Sequence, residues 1–150
     1  MDIEQLEQRL GRSWPAIKKA KETTQSRRKI LEEAFKGRVA SDTTIVLFGS
    51  IAREEMTSGS DADWILLVDG QAFPEHEDQT RDVGLTLESN NFGAPGRSGI
   101  FGTMVGSHAL VHDIGGEDDT NANTTRRVLL LLESFPIGDK SAFAEYGSKS

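Results

Sequence analysis

Asp61 and Asp63 stand two residues apart in Ser60-Asp61-Ala62-Asp63-Trp64, where a polar stretch gives way to the apolar run Trp64–Val68. Such a run reads as a buried strand. Side chains alternate along a strand, so the two carboxylates point the same way. Carboxylates held that close repel each other, and each resists ionisation unless a cation sits between them. A hard divalent ion such as Mg²⁺ takes oxygen ligands, commonly one or two carboxylates together with substrate phosphates. Upstream, Gly49-Ser50 closes the apolar run Ile45–Phe48, with ten residues between Ser50 and Asp61. Ile51–Met56 is long enough for one or two helical turns, so Gly49-Ser50 lies where a strand passes into a helix. Free backbone N–H groups favour a phosphate at such a place, and glycine lets the backbone approach it closely. A phosphate cradle and an ion-binding acid pair in one short unit suit phosphoryl or nucleotidyl transfer. Either feature alone is ordinarily a turn or a solvated strand end; their combination is the more specific signal.

The flanking sequence supplies elements to hold this unit. Ile3, Leu6 and Leu10 recur at helical spacing, and Gly11-Arg12-Ser13 interrupts them. Ser13 is placed to cap a second helix whose first turn holds Trp14 and Pro15. Ile17, Ile30, Leu31, Ala34 and Phe35 continue the apolar stripe, with Thr23–Ser26 a point for a bend and Gly37 a stop. The basic cluster of Lys18, Lys19, Lys21, Arg27, Arg28 and Lys29 reads as a solvated helix face. After the turn Asp69-Gly70, residues 71–81 read as a short surface helix, and 82–87 as its end or as a strand. Residues 90–99 form a loop rich in Gly, Pro and Asn, too weak a signal for a second phosphate site. Ile100–Ile114 reads as a strand or strand pair, with Ala109, Val111 and Asp113 on one face and His108, Leu110 and His112 on the other. The acidic, cap-rich segment 117–121 leads into an apolar helix over Thr125–Ser134, ended by Pro136. A polar tail follows, with Phe143 and Tyr146 as its anchors. His76, His108 and His112 form no convincing metal set.

The order of apolar strand, Phe48-Gly49-Ser50, helix, Asp61-Ala62-Asp63-Trp64 and apolar strand resembles the signature of the DNA polymerase β-like nucleotidyltransferase superfamily. The resemblance implies an α+β fold, a small mixed β-sheet flanked by helices. It implies transfer of a nucleoside monophosphate from a nucleoside triphosphate, ATP being the expected one, to a hydroxyl acceptor. Mg²⁺ or Mn²⁺ would sit on Asp61 and Asp63, and the phosphates on Gly49 and Ser50. Arg53 would steady the leaving pyrophosphate or, equally, pair with Glu54 or Glu55 on the surface. The superfamily also implies a third acid on a later strand. Asp113 is the choice here, over Asp82 in an ambiguous segment and over position 109, where the setting suits an acid but the residue is Ala109. If the natural residue there were acidic, the chain would be an inactivated variant. The acceptor is not legible: small molecule, nucleotide, RNA and protein all occur in the superfamily. A catalytically degenerate nucleotide-binding or partner-binding module of the same fold is the rival reading.

Size and charge bound these expectations. A chain of 150 residues buries one ordinary core. Residues 1–40 are expected to pack as helices on a catalytic core over 41–136, with 137–150 the tail or the start of a missing C-terminal helical domain. The net charge of −7 is uneven: 1–40 hold ten Lys and Arg against six Asp and Glu, and 41–150 hold seven against eighteen. An acidic catalytic half disfavours broad binding of nucleic acid and fits a site that recruits a metal-bound nucleotide. With no cysteine, disulfides and thiolate metal sites are excluded. No apolar run approaches the roughly 18 residues of a membrane span, so a cytoplasmic protein is expected. The apolar Val128–Leu132 run asks for a covering surface, from a partner or a further domain.

Overall fold

The computed structural model describes residues 2–96 and 98–138, so Phe143, Tyr146 and most of the polar tail lie outside the described residues. The fold is α+β, with a four-stranded mixed sheet flanked by five α-helices among the described residues. The helices are α1 (Ile3–Leu10), α2 (Pro15–Phe35), α3 (His76–Ser89), α4 (Ser107–Val111) and α5 (Asn121–Leu132). The strands are β1 (Thr43–Phe48), β2 (Asp63–Val68), β3 (Thr103–Gly106) and β4 (Ser134–Gly138), in the order β3-β2-β1-β4. β1 runs antiparallel to β2 and β4; β2 runs parallel to β3.

β1 and β2 are the central strands, and that explains their apolar runs Ile45–Phe48 and Trp64–Val68. A strand covered on both faces has no side to leave polar. Every residue of β1 is buried. On one face Ile45, Leu47, Trp64 and Leu66 pack with Leu31 and Phe35 of α2, Val83 and Leu87 of α3, and Phe92. On the other, Val46, Phe48, Ile65 and Leu67 pack with Val105, Leu110 of α4 and Leu130 of α5.

Several local expectations are replaced. α2 runs unbroken through residues 23–26. The Thr24 hydroxyl donates to the Ala20 carbonyl within the helix, so a residue suited to a break is absorbed by its own backbone. Trp14, not Ser13, takes the N-cap position, and its backbone N–H donates to Glu7 Oε1 at 2.7 Å. Residues 82–87 belong to α3. The strand expected over Ile100–Ile114 is short: β3 stops at Gly106 and the chain turns into α4. Gly106 lies so tight against the backbone of Gly70–Ala72 that a Cβ there would come within 2.8 Å of the Gly70 carbonyl oxygen. The His108 N–H donates to that same oxygen, and the Ser107 hydroxyl accepts from the Gly70 N–H. Ladder partners are exhausted at this point, and SHALV coils instead. Strand parity therefore does not apply to Ala109 and Asp113. Finally, Pro136 does not merely end a helix. It lies within β4, which pairs with β1 alone, and an edge strand accommodates a residue with no N–H to donate.

Candidate active site

β1 pairs with β2 up to Phe48 opposite Asp63. Gly49 and Ser50 therefore leave β1 at the same end of the sheet where Asp61 and Asp63 bring the chain in. They form a 3-10 turn, Gly49–Ile51, shorter than the helix expected over Ile51–Met56. Gly49 has φ 75°, a left-handed conformation that a side chain would strain, so a glycine is needed where the strand breaks into the turn. The carbonyl of Gly49 accepts from the N–H groups of Ala52 and Arg53, and that of Ser50 from Glu55.

Asp61 and Asp63 do share a side. Ala62, between them, is fully buried in the Trp64 cluster of the opposite face. The carboxyl of Asp63 is held above its ordinary range, first by burial and then by the negative charge of Asp61. The Gly96 N–H donates to it and works the other way. Asp61 forms an isolated parallel bridge with Gly93. Its carboxylate fills the space a side chain at 93 would need: a Cβ there would lie 2.0 Å from Asp61 Oδ1. The 90–99 loop thus contributes two glycines to the acid pair, one yielding room to Asp61 and one bonding Asp63. The sequence reading passed over both. Their only signal was glycine three residues apart in a loop. On its other side the same loop lines a cavity of about 540 Å³ with Trp64, Leu87, Met104 and Glu88; neither acid lines it.

Two oxygen ligands crowded enough to raise a carboxyl pKa fit a hard divalent ion delivered with phosphates. A third acid does not join them: among the described residues no three His, Cys, Asp or Glu form a group able to hold an ion. Asp113 follows α4, which starts from the Val68–Gly70 end of the sheet, away from Asp63. Ala109 is in α4 itself, so an acid there would not stand on a strand beside the pair. Asp82 is on α3 and is paired with Arg38 at 2.8 Å. The register puts Thr103 of β3 opposite Ile65. Before the strand begins, the ring of Phe101 packs 5.5 Å from that of Phe48, the residue opposite Asp63.

Arg53 takes the surface-pair alternative, with one partner that sequence could not show. It bonds Glu55 at 2.8 Å and both carboxylate oxygens of Glu133 at 2.9 and 3.0 Å. Glu133 arrives through β4, whose Ser134 is paired with Phe48. The basic face of α2 is not simply solvated either. Arg27 lies 4.1 Å over the Phe92 ring and Arg28 4.3 Å over that of Phe135. Arg126, midway along α5, is 8% exposed and donates to the Ile100 and Gly99 carbonyls and to Asn123 Oδ1.

A family model described as "Nucleotidyltransferase domain" matches residues 27–89, from the middle of α2 to the last residue of α3. The matched segment contains Gly49, Ser50, Asp61 and Asp63. No curated protein and no solved structure gives a significant match. With the signature, the sheet and the match in agreement, residues 27–89 are a nucleotidyltransferase domain of the DNA polymerase β-like superfamily.

Proposed function

We propose that this domain transfers a nucleoside monophosphate from a triphosphate, ATP by expectation, to a hydroxyl acceptor, with pyrophosphate leaving. The observation that carries the reading is the convergence of the Gly49–Ile51 turn and the Asp61–Asp63 pair at one end of the two central strands. Gly49 and Ser50 receive the phosphates, with the Ser50 hydroxyl as a donor. Asp61 and Asp63 hold Mg²⁺ or Mn²⁺, which neutralises charge on the phosphates when bound. The acceptor, whether small molecule, nucleotide, RNA or protein, approaches from solvent. A partner protein or a further helical domain would cover the exposed Leu131 and Leu132 of α5.

One observation favours a second reading, nucleotide binding without transfer. No acid joins the pair among the described residues to orient or deprotonate the acceptor, and Phe101 packs on Phe48, the residue opposite Asp63. Labelled triphosphate with Mg²⁺ or Mn²⁺ separates the two. Pyrophosphate release that disappears in Asp61→Asn establishes the transferase. A melting temperature raised by Mg-ATP with no pyrophosphate establishes the binding module. Neither response overturns both. Asp113→Asn decides the role of that residue: lost turnover with unchanged melting would make it catalytic, and unchanged turnover would remove it from the site.

A further inference from the structure

The turn that meets the phosphates is not held by the sheet alone. Arg28, halfway along α2, sends its guanidinium under the turn: Nε and Nη2 donate to the Ile51 carbonyl at 2.9 and 2.5 Å, and Nη2 also donates to the Ala52 carbonyl at 2.9 Å. Nη1 reaches Glu54 Oε1 at 3.4 Å. The Phe135 ring of β4 backs the guanidinium plane at 4.3 Å. One turn earlier on α2, on the same face, the Thr24 hydroxyl accepts the Met56 N–H at 2.9 Å. Thr24 and Met56 are both fully buried. Between these anchors Glu54 has φ 60°, a conformation that costs a non-glycine residue and persists only where surroundings enforce it.

We propose that Arg28, assisted by Thr24, is a positioning residue for the triphosphate-binding turn. The inference rests on the reading that Gly49 and Ser50 receive phosphate. A peptide group is planar, so fixing the Ile51 and Ala52 carbonyls also fixes the Ala52 and Arg53 N–H groups, which donate to the Gly49 carbonyl and so hold the turn closed. Three short bonds from one rigid fork fix both carbonyls together. A lysine keeps the charge but cannot reproduce the fork. The turn is thus set in shape before a ligand arrives, and binding loses less to ordering it.

Calorimetric titration with Mg-ATP, together with amide hydrogen exchange, tests the assignment on Arg28→Lys, Arg28→Gln and Thr24→Val. Lys21→Gln is the control, since Lys21 lies on the same helix and pairs with Asp2, away from both the turn and the acid pair. Both Arg28 variants are expected to weaken Mg-ATP by about 10- to 100-fold, the scale on which supporting partners act. Amides 50–56 should exchange faster in them while β1 and β2 amides stay protected. Thr24→Val is expected to do the same more mildly, and Lys21→Gln to bind within about twofold of wild type. Wild-type protein that binds Mg-ATP, with Arg28→Lys binding equally well, overturns this inference alone. So does a loss of protection spread evenly over the sheet, which would make Arg28 general glue. Wild-type protein that fails to bind Mg-ATP overturns the proposed function and this inference with it.

Discussion

Replacing Gly93 with alanine adds one methyl group and should damage a site that Gly93 itself does not form. Its Cβ would lie 2.0 Å from Asp61 Oδ1 and 2.9 Å from Asp61 Cγ. The backbone at 93 is not left-handed, so alanine meets no conformational penalty there. The clash falls on the Asp61 carboxylate, which must retreat by more than about 1 Å to restore ordinary carbon–oxygen contact. A displacement of that size at a reacting centre costs about 10²-fold. The expected result is a Mn²⁺- and Mg²⁺-dependent affinity for ATP weaker by about 100-fold, equivalent to about 2.7 kcal/mol. Titration with Mg-ATP reads this directly, and circular dichroism confirms the fold. Gly84 is the matched comparison. It lines the same cavity, sits inside α3, and a Cβ there meets Trp64 at an ordinary 3.7 Å. Gly84→Ala should stabilise the protein by about 0.5–1 kcal/mol and leave Mg-ATP binding unchanged. Gly93→Ala binding Mg-ATP as well as wild type would refute the placement of Asp61 against the loop. Equal weakening in Gly84→Ala would show that any change near the cavity perturbs the site, and the steric reasoning would fail.

Other substitutions probe the same frame. Asp63 has its carboxyl raised above 3.8 by burial and by Asp61. The folded state therefore binds that proton more tightly than the unfolded one. The associated stability is present below the unfolded value and is lost as pH rises through the folded one. Asp63→Asn should thus unfold at higher denaturant than wild type at pH 7, an advantage that shrinks towards pH 4 and reverses when Mg-ATP is added; a pH-independent difference would contradict it. Arg126→Met leaves the Gly99 and Ile100 carbonyls and Asn123 without their donor and should cost about 2 kcal/mol in urea unfolding, where a change below about 0.5 would mean those bonds contribute little. Arg53→Gln breaks exposed pairs with Glu55 and Glu133 and should shift stability by less than about 1 kcal/mol. A fall in pyrophosphate release well beyond that loss would return Arg53 to the leaving-group role.

The parts of this fold legible in sequence are those where local pattern and burial agree. Ile45–Phe48 and Trp64–Val68 are apolar throughout because they are the two central strands, and no other environment suits them. Gly49 was legible because the chain must turn sharply as β1 ends. The failures share a different cause. SHALV alternates well enough to pass for a strand, and only the close backbone of Gly70–Ala72 ends β3 before it. SFPIG looks like a helix stop until β1 is seen to have a free edge that tolerates proline. Arg126 and Arg28 carry charges, and charge in a sequence reads as surface. Their burial depends on carbonyls 23 to 27 residues away, at Ile51, Ala52, Gly99 and Ile100.

The same limit governs the site. Asp61 and Asp63 stand out in the sequence because their spacing alone makes a chemical statement: two carboxylates on one side repel, and something must offset that. Gly93, Gly96 and Arg28 make no such statement singly. Each acts through geometry set by the fold: a missing side chain that admits a carboxylate, an amide aimed at another, and a guanidinium spent on carbonyls. The third acid shows the converse. A strand position can be named in sequence, but β3 begins only at Thr103, opposite Ile65, and ends at Gly106, so neither Ala109 nor Asp113 stands on it. The Gly49–Ile51 turn and the acid pair are thus set by short-range sequence, while the surroundings of Asp63 are set by contacts the sequence leaves open. Under the proposed transfer, activation of the acceptor would therefore fall to a group of the acceptor itself or to one brought by a partner, since no third acid joins Asp61 and Asp63 among the described residues.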